Sequence, residues 1–184
     1  SIQKCLFIST IENIPIASIP ITKQQEIGSK FKHINSLIKK NNEIINELTN
    51  KIKDQYSFYI SNCSDEIQKL KLSDLLEEDN EKIDSNSKKL LIDLAAMPSS
   101  SLVIYNYGDS NKLTTNKTIP KKGNILIGLI RPYLKKCLIS PIDGVTTGTI
   151  GQFKIKDEKL QDFIVGIVTS DSFTNYLISV STGT

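Results

Sequence analysis

The 184 residues are 39% hydrophobic and 23% charged, a composition that favours a folded chain over a disordered one. The length allows one domain, or one domain with an appendage, and no apolar run is long enough to span a membrane. A single histidine, His33, and three widely spaced cysteines provide neither a catalytic triad, nor a metal site, nor a disulfide framework, so we predict no catalytic or metal-binding residues and a reducing, cytoplasmic location. The formal net charge of +3 permits a nucleic-acid partner without requiring one.

Residues 1–22 are rich in isoleucine and contain two prolines, Pro15 and Pro20. Proline lacks a backbone donor and biases the residue before it toward extended structure. We therefore predict a strand-like or polyproline-like connector, with no helix before Pro20.

Residues 23–62 have the pattern of one long helix. Thr22 and Gln25 form a possible capping box at its start, and no proline interrupts the segment. Apolar residues recur at alternating intervals of four and three, which is the a/d seam of a coiled coil. Counting two polar members, the seam consists of Ile27, Phe31, Ile34, Ile38, Asn41, Ile45, Leu48, Ile52, Gln55 and Tyr59. We predict that a second helix covers this seam.

Two interpretations of Asn41 and Gln55 stay open. In a buried seam, polar residues fix the register of pairing, because a mismatched register leaves them without a hydrogen-bonding partner. Alternatively, both residues face solvent at a place where the two helices splay apart.

Residues 63–184 have the pattern of a mixed α+β domain. Helices are expected at 65–76, 160–169 and 172–179, the last of them capped by Ser170 or Asp171. Strands are expected at 90–94, 101–107, 125–130, 137–139 and 149–155, and a polar loop at 77–88. The predicted fold class is therefore α+β, with a long coiled-coil-forming helix followed by a mixed α/β globular domain.

Basic residues concentrate between residues 112 and 136, where tyrosines are interleaved with them. Arg131 is the one arginine of the chain, and its guanidinium can contact phosphate or guanine in a bidentate manner that lysine cannot. The stretch is therefore a candidate nucleic-acid contact. A solvated, lysine-rich face is the alternative interpretation.

Short motifs at 15–28, 34–51, 71–75, 122–134 and 176–184 follow one another along the chain. They read PxxxxPxxxQQxIG; INxxI with a later LxxK; KLSDL; KGNIL followed by IRPYL; and YL with a final STGT. The first two resemble the spacer-helix region of the specificity (S, HsdS) subunits of type I restriction-modification systems. The other three resemble a target recognition domain of the same subunits.

Two residues depart from this pattern. Asn124 follows the glycine of KGNIL where an acidic residue is usual, and Asn35 stands where the helix usually has aspartate. Such subunits contain two recognition domains and two spacer helices in a longer chain. The resemblance therefore implies that residues 1–22 are the tail of a preceding recognition domain, 23–62 a spacer helix and 63–184 one recognition domain, in a fragment or half-subunit.

The resemblance also implies a function in DNA recognition without catalytic activity. Each recognition domain of such subunits reads one half of a bipartite DNA target in the major groove. Their antiparallel spacer helices dock the methyltransferase (M) subunits and, through them, the restriction (R) subunit, and S-adenosylmethionine, ATP and Mg belong to those partners. The second helix here would come from the same subunit or from a second copy. The expected DNA contacts are Arg131, Lys135 and Lys136, followed by Lys117, Lys121, Tyr107 and Thr147.

Two alternatives to this function stay open. The chain could be the specificity module of a single-chain restriction-methyltransferase, although the catalytic motif N-P-P-[YF] does not occur in these 184 residues. It could also be a coiled-coil adaptor whose α+β domain binds protein. The adaptor predicts no salt-sensitive DNA binding.

Overall fold

The computed structural model describes residues 11–16, 18–63, 69–81, 90–109 and 117–182, which belong to two units, residues 1–42 and 43–184. In the first unit, Ile11 and Glu12 are helical, and the N–H of Ile14 donates to the carbonyl of Ile11 at 3.2 Å. The prediction of no helix before Pro20 was therefore wrong. A proline disfavours the helical conformation at the residue before it. This helical turn ends before Ile14, the residue that precedes Pro15, so Pro15 does not prevent it.

Helix α1 spans Ile21–Asn62 and confirms the predicted long helix. The carbonyl of Pro20 accepts hydrogen bonds from the N–H groups of Lys23 and Gln24, at 2.9 and 3.1 Å. Pro20 therefore stands at the cap position, and Thr22 lies within the first turn. The predicted capping box of Thr22 and Gln25 was wrong, because the helix begins two residues earlier than that box requires.

Within the described residues, the second unit contains two four-stranded sheets. The first sheet consists of β1 (Leu76–Glu78), β5 (Ile125–Gly128), β6 (Cys137–Ile139) and β8 (Ile150–Ile155). Its order is β1-β8-β5-β6, and every pairing is antiparallel. The second sheet consists of β2 (Leu90–Ile92), β3 (Gly108–Asp109), β4 (Lys117–Thr118) and β7 (Val145–Thr147). Its order is β3-β2-β7-β4, with β2 and β7 parallel.

Four of the predicted strands are present with equal or shorter bounds, as β2, β5, β6 and β8. The predicted strand at 101–107 was wrong. Ile104 is buried between exposed Val103 and Tyr105, which is the alternation of a strand, but no described strand pairs with this backbone. Strands β1, β3, β4 and β7 were missed, because two or three residues carry no periodic signal. Strand β1 replaces the start of the loop predicted at 77–88.

Three further helices are α2 (Leu72–Leu75), α3 (Gln161–Thr169) and α4 (Asp171–Val180). Helix α2 is shorter than the helix predicted at 65–76, of which residues 65–68 lie outside the described residues. The Oγ of Ser170 accepts a hydrogen bond from the N–H of Phe173 at 3.2 Å, which confirms Ser170 as the cap of α4. No single described helix is long and apolar enough to cross a membrane, and the segments 158–169 and 171–180 reach that length and composition only as a pair bent by 62°.

Strand β5 divides the core of the second unit into two clusters. Its alternate side chains point to opposite faces, so Ile125 and Ile127 join one cluster and Leu126 joins the other. The first cluster lies between the first sheet and helices α3 and α4, and Ile52 of α1 packs against it. The second includes Ile92 and residues of the segment that follows β2. All four residues of β5 are consequently buried.

Candidate nucleic-acid interface

Strand pairing brings two loops together at one edge of the second unit. Strand β7 ends at Thr147, a short turn follows, and β8 begins at Ile150 opposite Gly128 at the end of β5. The N–H of Leu129 donates to the carbonyl of Thr149 at 2.9 Å, which ties the segment after β5 to this turn. The edge formed by residues 129–136 and 147–149 is called the Arg131 edge below.

Six of the seven predicted DNA-contact residues lie at or beside the Arg131 edge. Arg131, Lys135, Lys136 and Thr147 are part of it. Lys117 joins them through its backbone, because it pairs with Thr147. Tyr107 precedes Gly108, which pairs with Leu91, and β2 runs parallel to β7, so the chain direction places Tyr107 toward the same edge. Tyr107 is half-buried and packs against the second core cluster.

Arg131 has an unusual backbone conformation. Its φ is 54° and that of Lys135 is 51°, so two left-handed residues enclose the 3-10 turn Pro132–Leu134. Residues other than glycine adopt this region infrequently, and they do so mostly where the surrounding structure imposes it. The Arg131 side chain is exposed, and its guanidinium has no hydrogen-bonding or ionic partner among the described residues. No described residue therefore occupies its donors.

Lys135 and Lys136 differ from Arg131 in that each already has a partner. The Nζ of Lys135 forms an ion pair with Oδ1 of Asp171 at 2.5 Å, and the Nζ of Lys136 donates to the carbonyl of Leu94. The hydrogen bond from Lys135 lowers the pKa of Asp171, with smaller contributions from the charges of Lys135 and Lys53. A phosphate would have to compete for both ammonium groups, whereas none of the residues that the structure describes occupies the guanidinium of Arg131.

Lys121 lies at the opposite end of the sheets. Its neighbour Pro120 accepts a hydrogen bond from the N–H of Gly144, at the start of β7 rather than at its end. Its Nζ pairs with Glu81 at 2.7 Å, which raises the pKa of Lys121, and Asp79 and Asp143 raise it further. These carboxylates make the surroundings of Lys121 unfavourable for a phosphate.

The Arg131 edge also contains apolar residues that the sequence analysis assigned to a strand. Leu129 is 58% exposed and Ile130 is 48% exposed, because β5 ends at Gly128 and not at residue 130 as predicted. Tyr133 is exposed beside them. The run 125–130 is hydrophobic throughout. Its sequence therefore gave no indication that its first residues are buried and its last two are exposed.

No family model and no curated protein matches the sequence. Solved structures do match the fold, among them the crystal structure of the HsdS subunit from Thermoanaerobacter tengcongensis, with a TM-score of 0.51 and 20% sequence identity. This chain has an HsdS-like fold. The match covers 62% of this chain and 32% of that chain. It confirms the predicted α+β class, in which a long helix accompanies a mixed globular region.

In the HsdS-like fold of this chain, the predicted seam residues have different surroundings. Exposed members are Ile27, Phe31, Ile34, Ile38, Asn41, Leu48, Gln55 and Tyr59. Ile45 is half-buried, and Ile52 packs against the first core cluster of the second unit. Four further apolar residues of α1 that the seam omitted are exposed: Ile21, Leu37, Ile44 and Phe58. Eight of the ten predicted seam residues are therefore exposed, and their pairing with a second helix stays a prediction.

Proposed function

We propose that this chain is a sequence-specific DNA-recognition subunit, or a fragment of one, of a type I restriction-modification complex. The observation that carries the proposal is the HsdS-like fold, reached from sequence motifs and found again in the structural match. The recognition domain would read one half of a bipartite DNA target. It would perform no catalysis and need no cofactor, since S-adenosylmethionine, ATP and Mg would be bound by its partners.

The Arg131 edge is the proposed DNA-binding surface. Arg131 would contact phosphate or guanine with its free guanidinium, and Thr147 and Thr149 would contribute hydroxyl groups, whose oxygens lie 2.7 Å apart. Lys135 and Lys136 would add positive charge next to the phosphates. Binding that depends on such contacts weakens as salt rises, because phosphate neutralisation releases counterions.

Helix α1 is the proposed spacer. It would pair with a second helix, from the same subunit or from another copy, and the pair would dock methyltransferase subunits and through them the restriction subunit. The exposure of its apolar residues supports this role, since an apolar helix face in water is stabilised when another helix covers it.

The test of DNA recognition is selection from random double-stranded DNA, followed by measurement of Kd over a salt series. Arg131→Ala is expected to weaken binding to the selected sequence by roughly tenfold or more. The matched control is Lys159→Ala, which removes one exposed positive charge beyond the far end of β8. No selected sequence, or equal losses in the two variants, would contradict the proposal and favour a protein-binding adaptor.

A further inference from the structure

A polar cleft lies beside the Arg131 edge, within the second unit. It has a volume of about 500 Å³ and lies between the second half of α1 and the start of α4. Lys135 belongs both to the Arg131 edge and to the wall of this cleft, which is called the Lys135 cleft below. The other residues that line it are Asn50, Lys53, Asp54, Ser57, Ser170, Asp171 and Ser172.

Charged residues of both signs line the Lys135 cleft. Two lysines, Lys53 and Lys135, stand beside two carboxylates, those of Asp54 and Asp171. The Nζ of Lys135 lies 2.5 Å from Oδ1 of Asp171. This hydrogen bond lowers the pKa of Asp171 most, the charge of Lys135 comes next, and the charge of Lys53 also lowers it. The carboxylate of Asp171 therefore lies in the positive field of two lysines, which is the position that a bound anion would take.

The backbone of Lys135 is held by its own neighbours. Its φ of 51° is left-handed, and its N–H donates to the carbonyl of Pro132 at 2.9 Å. Its carbonyl accepts hydrogen bonds from the N–H groups of Ser100 and Cys137, each at 3.2 Å. Lys135 therefore does not need Asp171 to hold its backbone in place.

Asp171 is the more exposed partner of this ion pair. Its side chain is 74% exposed, whereas that of Lys135 is 33% exposed. Helix α4 does not need the Asp171 carboxylate as its cap, because the Oγ of Ser170 accepts the N–H of Phe173. An exposed ion pair contributes little to stability, since water screens both charges. The carboxylate of Asp171 is therefore able to leave Lys135 without opening the core or uncapping α4.

The uncharged groups of the Lys135 cleft also suit a phosphate. The amide of Asn50 and the hydroxyls of Ser57 and Ser172 are hydrogen-bond donors. Lysine, asparagine and serine side chains are among the groups that proteins use to contact the phosphates of DNA. Asp54 also faces the cleft and repels an anion, but it is exposed to water, which weakens that repulsion.

Continuity with the Arg131 edge favours DNA as the source of the phosphate. Arg131 and Lys135 enclose the 3-10 turn Pro132–Leu134, and α4 lies against this turn. A DNA strand carries one phosphate charge per about 3.4 Å of helix axis. A strand that contacts Arg131 would therefore bring further phosphates to the positive charges beside it.

We propose that the Lys135 cleft binds a backbone phosphate of DNA between Lys135 and Lys53, and that the carboxylate of Asp171 occupies this position when DNA is absent. The phosphate displaces the carboxylate, so Asp171 lowers the affinity for DNA. It does so equally for every sequence, because phosphate contacts carry no sequence information. The inference rests on the proposed function in DNA recognition and adds to it a contact from α1 and an internal competitor.

Asp171→Asn tests the competition. The Kd for the selected duplex and for a duplex of unrelated sequence is expected to fall about two- to fivefold, the factor that corresponds to an exposed ion pair. The plot of log K against log salt should steepen by up to about 0.9, the value for one more neutralised phosphate. The matched control is Glu158→Gln, which removes an exposed carboxylate without an ion pair among the described residues, and it should leave both Kd values unchanged.

A double-mutant cycle with Lys135→Ala separates competition from a general effect of charge. If Asp171 acts by occupying Lys135, most of the gain from Asp171→Asn should disappear when Lys135 is alanine. An equal gain in both backgrounds would overturn the competition. Lys53→Ala should weaken binding to both duplexes by the same factor, whereas Lys159→Ala should not. Equal Kd values for these two variants would overturn the contact from α1.

The outcomes also separate this inference from the proposed function. Salt-dependent binding by the unmodified chain, together with an unchanged Kd for Asp171→Asn, would refute the inference and leave the function standing. A lower melting temperature of Asp171→Asn with unchanged DNA binding would show that the ion pair only holds α4 in place. Absence of binding by both chains would refute the function and the inference together.

Discussion

Asn124 is buried beside a carboxylate, and its surroundings predict what an acidic residue would do at this position. Asn124 is 5% exposed, and its Nδ2 donates a hydrogen bond to Oδ2 of Asp79 at 2.9 Å. The backbone of Asp79 is held by Gln152, whose carbonyl accepts its N–H at 3.0 Å and whose side chain donates to its carbonyl. Asp79 therefore cannot move away easily from a changed neighbour.

Asn124→Asp would replace this donor by a second carboxylate. The lost hydrogen bond to a charged group contributes about 1.5–3 kcal/mol, and repulsion between the carboxylates adds to the loss. We expect the free energy of unfolding to fall by about 3 kcal/mol near pH 7. Urea unfolding followed by far-UV circular dichroism would measure it, since the chain has no tryptophan.

The loss should depend on pH in a defined direction. Repulsion raises the pKa of the introduced carboxyl in the folded chain above its value in the unfolded chain. Such a group contributes stability in its protonated form at low pH, and this contribution is lost as pH rises through the raised pKa. The deficit of Asn124→Asp should therefore be smaller at about pH 4.5 than at about pH 7.

The exchanged pair Asp79→Asn/Asn124→Asp is the matched control, because it keeps one amide and one carboxylate. It is expected to recover at least half of the lost stability. A deficit below about 0.5 kcal/mol at neutral pH, the range of ordinary surface substitutions, would refute the reasoning. So would a deficit that the exchanged pair does not reduce.

Three further predictions follow from contacts of the second unit. Burial raises the pKa of the Cys137 thiol to about 12. In a variant whose other cysteines are serine, a thiol reagent near pH 8 should therefore react with Cys137 only after unfolding. Rapid reaction of the folded chain would contradict this prediction. Gly166→Ala should lower the free energy of unfolding by about 1–3 kcal/mol, because the added methyl meets the Tyr56 ring, and a thermal melt with no change would exclude that contact. Lys135→Ala should raise the pKa of Asp171 toward its ordinary value, which carboxyl titration by NMR would detect.

Elements with a strong local pattern could be predicted from the sequence. Helix α1 has an uninterrupted repeat, and α4 has Ser170 at its cap, so both are found close to the predicted positions. Strands β3 and β4 have two residues each, and only their partners across the sheet define them. The segment 101–107 shows the reverse case, since it alternates like a strand but has no partner strand among the described residues.

The candidate site was predictable in composition but not in arrangement. The basic stretch contains both Arg131 and Lys121, which are ten positions apart in the sequence. Strand β5 runs between them and places them at opposite ends of the sheets. The remaining differences among the basic residues depend on their ion-pair partners. Asp171 pairs with Lys135 and Glu81 pairs with Lys121, and each ion pair joins residues that are far apart in sequence. Periodicity and composition contain no information about such pairs.

The seam of α1 shows why the sequence pattern and the available surface differ. A heptad pattern marks positions that are apolar, and it cannot tell whether they face a partner or the chain's own domain. Ile52 belongs to the repeat, yet it packs against the first core cluster. Phe58 lies outside the repeat, yet it is exposed. The domain therefore covers one side of the repeat, and Ile44 and Leu48 remain exposed. A substitution at Leu48 should accordingly weaken helix pairing, whereas one at Ile52 should mainly destabilise the second unit.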